Sequence, residues 1–265
     1  LGVGAGDENA GFWIEAEQLA NTGFKTIDRV GGDTGAVRNE AMAKGRWVLD
    51  PEAKIQQVFG IKLGYSEERS NETYTGLTDA DFRATPFRRY FSTQFDQMTF
   101  HRTQVEGSYA VHFSKHFSLT TTAYRHDLDR TWRKLNRLDQ GSVADVLADP
   151  TSSANRRAYG ILTGANDSAG AIDTLWIGPN RRTFVSEGVQ TVAKYDGKTG
   201  PVRHKVEYGL RLHYDQIVRV HSEDGFLVKN KALVANGLPT LVTADNTDSA
   251  AALASYATDT IDVGR

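Results

Sequence analysis

The stretch KVEYGLRLHYDQIVRV, residues 205–220, decides how the chain folds. Every second side chain is apolar: Val206, Tyr208, Leu210, Leu212 and Tyr214. Between them lie Lys205, Glu207, Gly209, Arg211, His213 and Asp215. A period of two belongs to a β-strand, whose side chains alternate between the faces of its sheet. The alternation leaves open which face meets water. In a soluble sandwich the apolar face turns inward onto a core. In a membrane β-barrel it turns outward to lipid.

The same pattern recurs along the chain and predicts eight strands. FWIEAEQLA (12–20) sets Phe12, Ile14 and Ala16 against Trp13, Glu15 and Glu17. In 36–49, Val37, Ala41, Ala43 and Trp47 oppose Arg38, Glu40, Lys44 and Arg46. In 54–67, Ile55, Phe59, Ile61, Leu63 and Tyr65 share a face. In 95–113, Val105, Gly107, Tyr109, Val111 and Phe113 do so. Further strands are expected at 117–135, 183–195, 205–220 and, with weaker alternation, 250–262. One short helix is predicted at 142–149, with Ser142 as N-cap and Pro150 as stop. The connections alternate in length. Short ones fall at 50–53, 114–116 and 196–203, and long ones at 21–35, 67–93, 136–182 and 222–249. Short turns at one end and long loops at the other are the habit of outer-membrane barrels. Structureless loops of such length are uncommon in compact soluble domains.

Composition bounds the function. The 265 residues carry a formal charge of -2, which gives no overall attraction to nucleic acid. There is no cysteine, so disulfides and thiolate metal sites are excluded. Mean hydropathy is -0.46, and no apolar run reaches the ~18 residues of a membrane helix. A barrel needs none, since only alternate strand residues face lipid. The chain starts at Leu1 without a signal segment and stops at Asp262-Val263-Gly264-Arg265, expected to form a turn after a strand. It reads as a piece of a longer protein.

Few residues suggest chemistry. His112 and His116 have the spacing of a helical metal pair but straddle a predicted turn, which separates the rings. Asp79/Asp81 and Asp127/Asp129 are paired acids with no poised partner, so solvated carboxylates are the plainer reading. Asn71-Glu72-Thr73 matches a glycosylation sequon. There is no phosphate-binding loop, dinucleotide fingerprint, nucleophile elbow or zinc motif. The chain reads as neither an enzyme nor the holder of a cofactor. One cluster stands out. YRHDLDRTWRKLNR (124–137) interleaves Arg125, Arg130, Arg133, Lys134 and Arg137 with Tyr124 and Trp132, and GPNRRTF (178–184) adds Arg181 and Arg182. The two ends of one loop must be neighbours. Convergent guanidiniums there would bind an anion through bidentate hydrogen bonds. The alternatives are a solvated strand end, or pairing with Asp127, Asp129 and Asp139. Single-stranded nucleic acid, which also suits basic and aromatic interleaving, gets little support from the near-neutral charge.

IKLGYSEERSNETYTGLTDADFRATPFRRY (61–90) resembles the barrel segment of TonB-dependent outer-membrane receptors of the ferric-dicitrate/siderophore type. The similarity extends to GDTGAVRNEAMAKGRW (32–47), SLTTTAYRHDLDRTWRKLN (118–136) and YGLRLHYDQIVRVHSEDGF (208–226). The resemblance implies an all-β, antiparallel transmembrane barrel of about 22 strands, of which residues 1–265 are the central part. It implies that the N-terminal plug domain, the TonB box and the C-terminal strands lie outside these residues. It implies a bacterial outer-membrane location, lipid around the barrel, and uptake of a ferric chelate as cargo, powered by a TonB complex. Loops 67–93, 136–182 and 222–249 would form the vestibule. By position, Arg130 and Arg133 at the end of strand five and Arg181 and Arg182 where the loop returns would hold the chelate, with Trp132 beside them. The resemblance also leads one to expect an arginine in 222–249, where only Lys229 and Lys231 are basic. That departure leaves an anionic chelate other than citrate open. A passive pore, an adhesin barrel and a soluble carbohydrate-binding β protein are the competing readings. The last requires Leu210, Leu212 and Tyr214 to be buried.

Overall fold

The structure is a computed structural model that describes residues 1–263. Gly264 and Arg265, expected in a closing turn, lie outside the described residues, and Asp262 and Val263 end a strand. The strands are β1 (Gly2–Gly6), β2 (Ala10–Asn21), β3 (Thr26–Ile27), β4 (Ala36–Val48), β5 (Gln56–Ser70), β6 (Arg88–Arg89) and β7 (Gln97–Ser114). They continue with β8 (Phe117–Leu138), β9 (Leu175–Thr199), β10 (Val202–Lys229), β11 (Ala232–Ala235) and β12 (Leu241–Val263). Three short helices sit in loops: α1 (Asp79–Ala84), α2 (Val143–Ala148) and α3 (Arg156–Leu162). All but β3 and β6 form one antiparallel, 10-stranded sheet. Neighbours in sequence are neighbours in space, with β11 and β12 both against β10. The sheet is open, with one edge at β1 and the other at β11 and β12.

All eight predicted strands are present. β1 is additional, because Gly-Val-Gly-Ala-Gly offers no side-chain alternation. β11 folds back on β10 through Asn230 and Lys231, both at positive φ (51 and 62), as a two-residue primed hairpin turn requires. Gly200, at φ 62, does the same between β9 and β10.

The register fixes the faces. One transverse row joins Leu253, Leu212, Val189, Ala123, Gly107, Ile61, Gly45, Phe12 and Ala5 across the sheet, with no polar side chain. One residue further along each strand, the row reads His213, Gly188, Tyr124, Glu106, Lys62, Lys44 and Trp13. The faces inferred from residues 205–215 are thus those of the whole sheet. On the polar face Gly209 lets the Tyr256 ring lie across it: a Cβ there would meet that ring at 2.0 Å. On the apolar face aromatic residues cluster at the short-turn end: Trp47 stacks on Phe59 (6.0 Å) and Phe113 on Phe117 (5.4 Å), with Tyr109, Tyr195 and Tyr208 nearby in the ladder. Tyr65 and Tyr214 mark the other limit. From Val206 to Gln216 the band is ten steps along β10; at about 3.3 Å each and a tilt near 40° it spans about 25 Å, the height of a lipid-facing belt. Leu210 and Leu212 are 42% and 58% exposed, and nothing among the described residues packs over them, against the soluble-sandwich reading.

The buried core lies elsewhere. Tyr90, Phe91, Leu135, Leu138, Val146, Ala158, Ile161, Leu162, Leu175, Ile177 and Val228 form one cluster at the long-loop end. It joins the upper ends of β8, β9 and β10 to the helices of the loops. The loops expected to be structureless are therefore a packed cap. Ser142 does cap α2, accepting from the Asp145 N–H at 3.0 Å. The strands also run further than alternation foretells. The loop expected at 136–182 shrinks to 139–174, and that at 222–249 to 230–240.

Candidate functional site

The basic cluster is set by the ladder between β8 and β9. Arg130 stands directly opposite Arg182, Thr131 opposite Arg181, and Trp132 opposite Asn180. Because faces alternate, Arg130, Trp132 and Arg182 share the polar face, while Arg181 and Arg133 take the other alternation. Two of the expected site residues therefore do not join the cluster. Arg181 donates to Asp129 at 2.8 Å, which also accepts from Thr183. The Arg133 guanidinium lies over the Phe95 ring, 4.8 Å from its centre. The paired acids are accounted for too. Asp127 binds Arg125, which also reaches Glu187 at 3.0 Å. Asp79 pairs with Arg83 at 2.9 Å.

On the polar face the structure gathers Arg130, Arg182, Trp132 and Lys134 with three residues the sequence did not single out. Arg182 donates through Nε to Nε2 of His221 at 3.2 Å. Arg130 lies over Phe184, 5.8 Å from the ring centre. Tyr74, from the loop before β7, meets the Trp132 ring edge-on at 5.3 Å and takes the Lys134 ammonium on its face at 3.9 Å. The nearby carboxylates go to other cations: Asp129 to Arg181, and Asp139 and Glu223 to Arg137. Among the described residues, none lies in ion-pair contact with Arg130, Arg182 or Lys134. Like charges directly opposite on neighbouring strands repel. Moreover, Nε of Arg130 and Nε1 of Trp132 are buried without a hydrogen-bond partner. Such donors cost stability until something accepts from them. A count of parity from Val189 and Ala123 would have separated Arg182 from Arg181. No sequence signal points to Tyr74.

Behind the cluster the cap is held by buried polar groups. Asp96, 3% exposed, accepts from the Leu135 N–H (3.0 Å) and from Thr73 Oγ1 (2.7 Å), and burial pushes its carboxyl up to about 6. Asp81 accepts from the hydroxyls of Tyr90 (2.7 Å) and Tyr159 and pairs with Arg88, which also holds Asp28 at 2.6 Å. Burial raises the Asp81 carboxyl, but the hydroxyls of Tyr159, Tyr90 and Thr78 and the Arg88 charge outweigh it and hold it below the usual range. His112 lies two residues before the end of β7 and His116 lies in the turn, where its Nδ1 contacts the Asp196 carbonyl oxygen at 2.6 Å. No group of metal-ligating side chains occurs among the described residues.

No family model and no curated protein sequence matches this chain. Solved structures do. The ferric citrate transporter FecA in its unliganded form superposes with a TM-score of 0.67 at 15% identity, over 99% of this chain and 32% of that one. The ferric-catecholate import receptor Fiu from E. coli K12, in an open form, gives 0.61 at 10% identity, over 100% of this chain and 41% of that one. The chain thus spans less than half the length of either. At these identities the likeness is one of fold: an antiparallel transmembrane β-barrel wall, here an arc that does not close.

Proposed function

We propose that this chain is a section of the wall of a bacterial outer-membrane receptor that binds an anionic ferric chelate and belongs with the TonB-dependent receptors. The observation that supports this most is the pair Arg130 and Arg182, opposed on the polar face with no carboxylate between them. In the proposed barrel that face lines the lumen, and the apolar band meets lipid. The chelate's carboxylates or phenolates would sit between the two guanidiniums, accept from the unmet donors of Arg130 and Trp132, and stack against Tyr74. Charge-assisted, partly desolvated contacts of this kind discriminate anionic from neutral chelates. A plug domain and a TonB complex, supplied by other parts of the system, would drive release inward. The two structural neighbours are a ferric citrate transporter and a ferric-catecholate import receptor, so both chelate classes are worth testing. The full-length receptor in detergent is titrated with ferric dicitrate, a ferric catecholate and a neutral ferric hydroxamate. Saturable binding of an anionic chelate and none of the neutral one is expected. Equal affinity for all three, or no binding of any, overturns the proposal.

A further inference from the structure

A second guanidinium in the cap has no carboxylate in ion-pair contact. Arg89, in β6, is 2% exposed. It donates to Thr93 Oγ1 at 3.3 Å, to the Thr93 carbonyl at 2.8 Å and to the Asn71 carbonyl. All three acceptors are neutral, and a guanidinium has five N–H groups to place. An arginine keeps its charge even where burial lowers its pKa, as it does here. Asp96 and Glu72 act on this charge only through space, and a guanidinium held out of water with no carboxylate in direct contact is costly. Arg89 lines a cavity of about 250 Å³ whose wall also includes Arg133. Stacking on Phe95 holds the Arg133 guanidinium in place.

Two carboxylates reach the same cavity, and both are engaged. Asp33 accepts from the Gly35 N–H (2.8 Å) and from Asn71 Nδ2 (3.0 Å). Asp96 is bound to Thr73 and Leu135. Neither forms an ion pair with Arg89 or Arg133. We propose that this cavity is a binding site for a small oxyanion, of the charge and size of phosphate, held between Arg89 and Arg133 by charge-assisted hydrogen bonds. Arg89 comes from the loop before β7 and Arg133 from β8, so the anion would clamp that loop to the barrel wall. The site is separate from the chelate cluster, because Arg133 and Arg130 lie on opposite alternations of β8.

The test uses the full-length receptor carrying Arg130→Gln and Arg182→Gln, which silences the other cluster. Inorganic phosphate is titrated at constant ionic strength and pH 5.5, where the Asp96 carboxyl is mostly protonated. One equivalent should bind, and amide exchange in 71–96 should slow about tenfold at saturation. Adding Arg133→Gln should weaken phosphate binding at least tenfold while leaving the ligand-free melting midpoint in place. Since Arg89→Met can unfold the cap, Arg89→Lys, which keeps the charge but loses the fork, serves as the second variant and should bind more weakly. No saturable binding at tens of millimolar, or binding unchanged by Arg133→Gln, overturns the proposal.

Discussion

Neutralising Arg130 and Arg182 should weaken chelate binding and leave the stability of the empty receptor nearly unchanged. Each guanidinium that loses a charged contact to the chelate costs about 1.5–3 kcal/mol, or roughly ten- to hundredfold in affinity. In the empty wall the effects nearly offset. The two arginines stand directly opposite with no anion between them, and such a pair destabilises by about 0.2–1 kcal/mol. Arg182→Gln relieves that repulsion but gives up a hydrogen bond to His221 worth about 0.5–1.5 kcal/mol, so the ligand-free receptor should come out near neutral. Arg130→Gln also forfeits its contact with Phe184, worth about 0.5–1 kcal/mol, and should come out near neutral. Arg181→Gln is the control. Its side chain is spent on Asp129 on the other face, so chelate affinity should stay within about twofold, under 0.5 kcal/mol. Calorimetric titration with the tightest-binding anionic chelate reads the first effect, and thermal unfolding of the ligand-free receptor reads the second. If Arg181→Gln weakens binding as much as Arg182→Gln, the facing derived from the ladder is wrong. If the double Arg130→Gln/Arg182→Gln receptor binds normally, the site is elsewhere.

Two other measurements probe the cap and the band. Asp96 is raised by burial from 3.8 to about 6, so its contribution to cap stability is complete below about pH 4 and is lost as pH rises through about 6. Two pKa units at 1.36 kcal/mol each put the whole loss near 3 kcal/mol, about 1.4 kcal/mol of it between pH 5 and pH 7.5, and Asp96→Asn should flatten it; amide exchange in 71–96 at those two pH values measures the difference. Leu212→Arg places a charge in the middle of the apolar band and should cost about 2–4 kcal/mol in a folding titration into lipid vesicles, while Arg211→Gln on the polar face should cost little. Equal losses at 211 and 212 would reverse the assignment of faces.

What the sequence disclosed followed from side-chain period. Val206, Tyr208, Leu210, Leu212 and Tyr214 alternate cleanly because a lipid belt favours apolar side chains, and strands that keep to that rule are readable; β12, with Ser255 and Asp259 on that face, alternates more weakly. Above the belt that constraint ends. The upper parts of β9 and β10, including Arg181, Arg182 and Asp224, read as loop although they continue the ladder. β1 has too few side chains to alternate. Of the cap, α2 was legible from its Ser142 cap and Pro150 stop, but α3, with seven residues, is too short to display a helical period. Its core also joins Tyr90 and Phe91 to Ile161, Leu162 and Val228, which are far apart in the chain. The basic cluster was legible as composition, but its membership depends on parity. Adjacent arginines at 181 and 182 look alike in a list and point to opposite sides of a sheet.

The packed cap bears on the speed of capture. Loops that order only when ligand arrives lose conformational freedom at that moment, at about 0.5–1.5 kcal/mol for each long side chain immobilised. Here Tyr74, Trp132 and Lys134 already touch one another, and the loop behind them is fastened through Asp96 to Leu135. A mouth built this way has made its entropic sacrifice during folding. Association should then proceed at a rate set by diffusion and charge rather than by rearrangement, and slow with added salt.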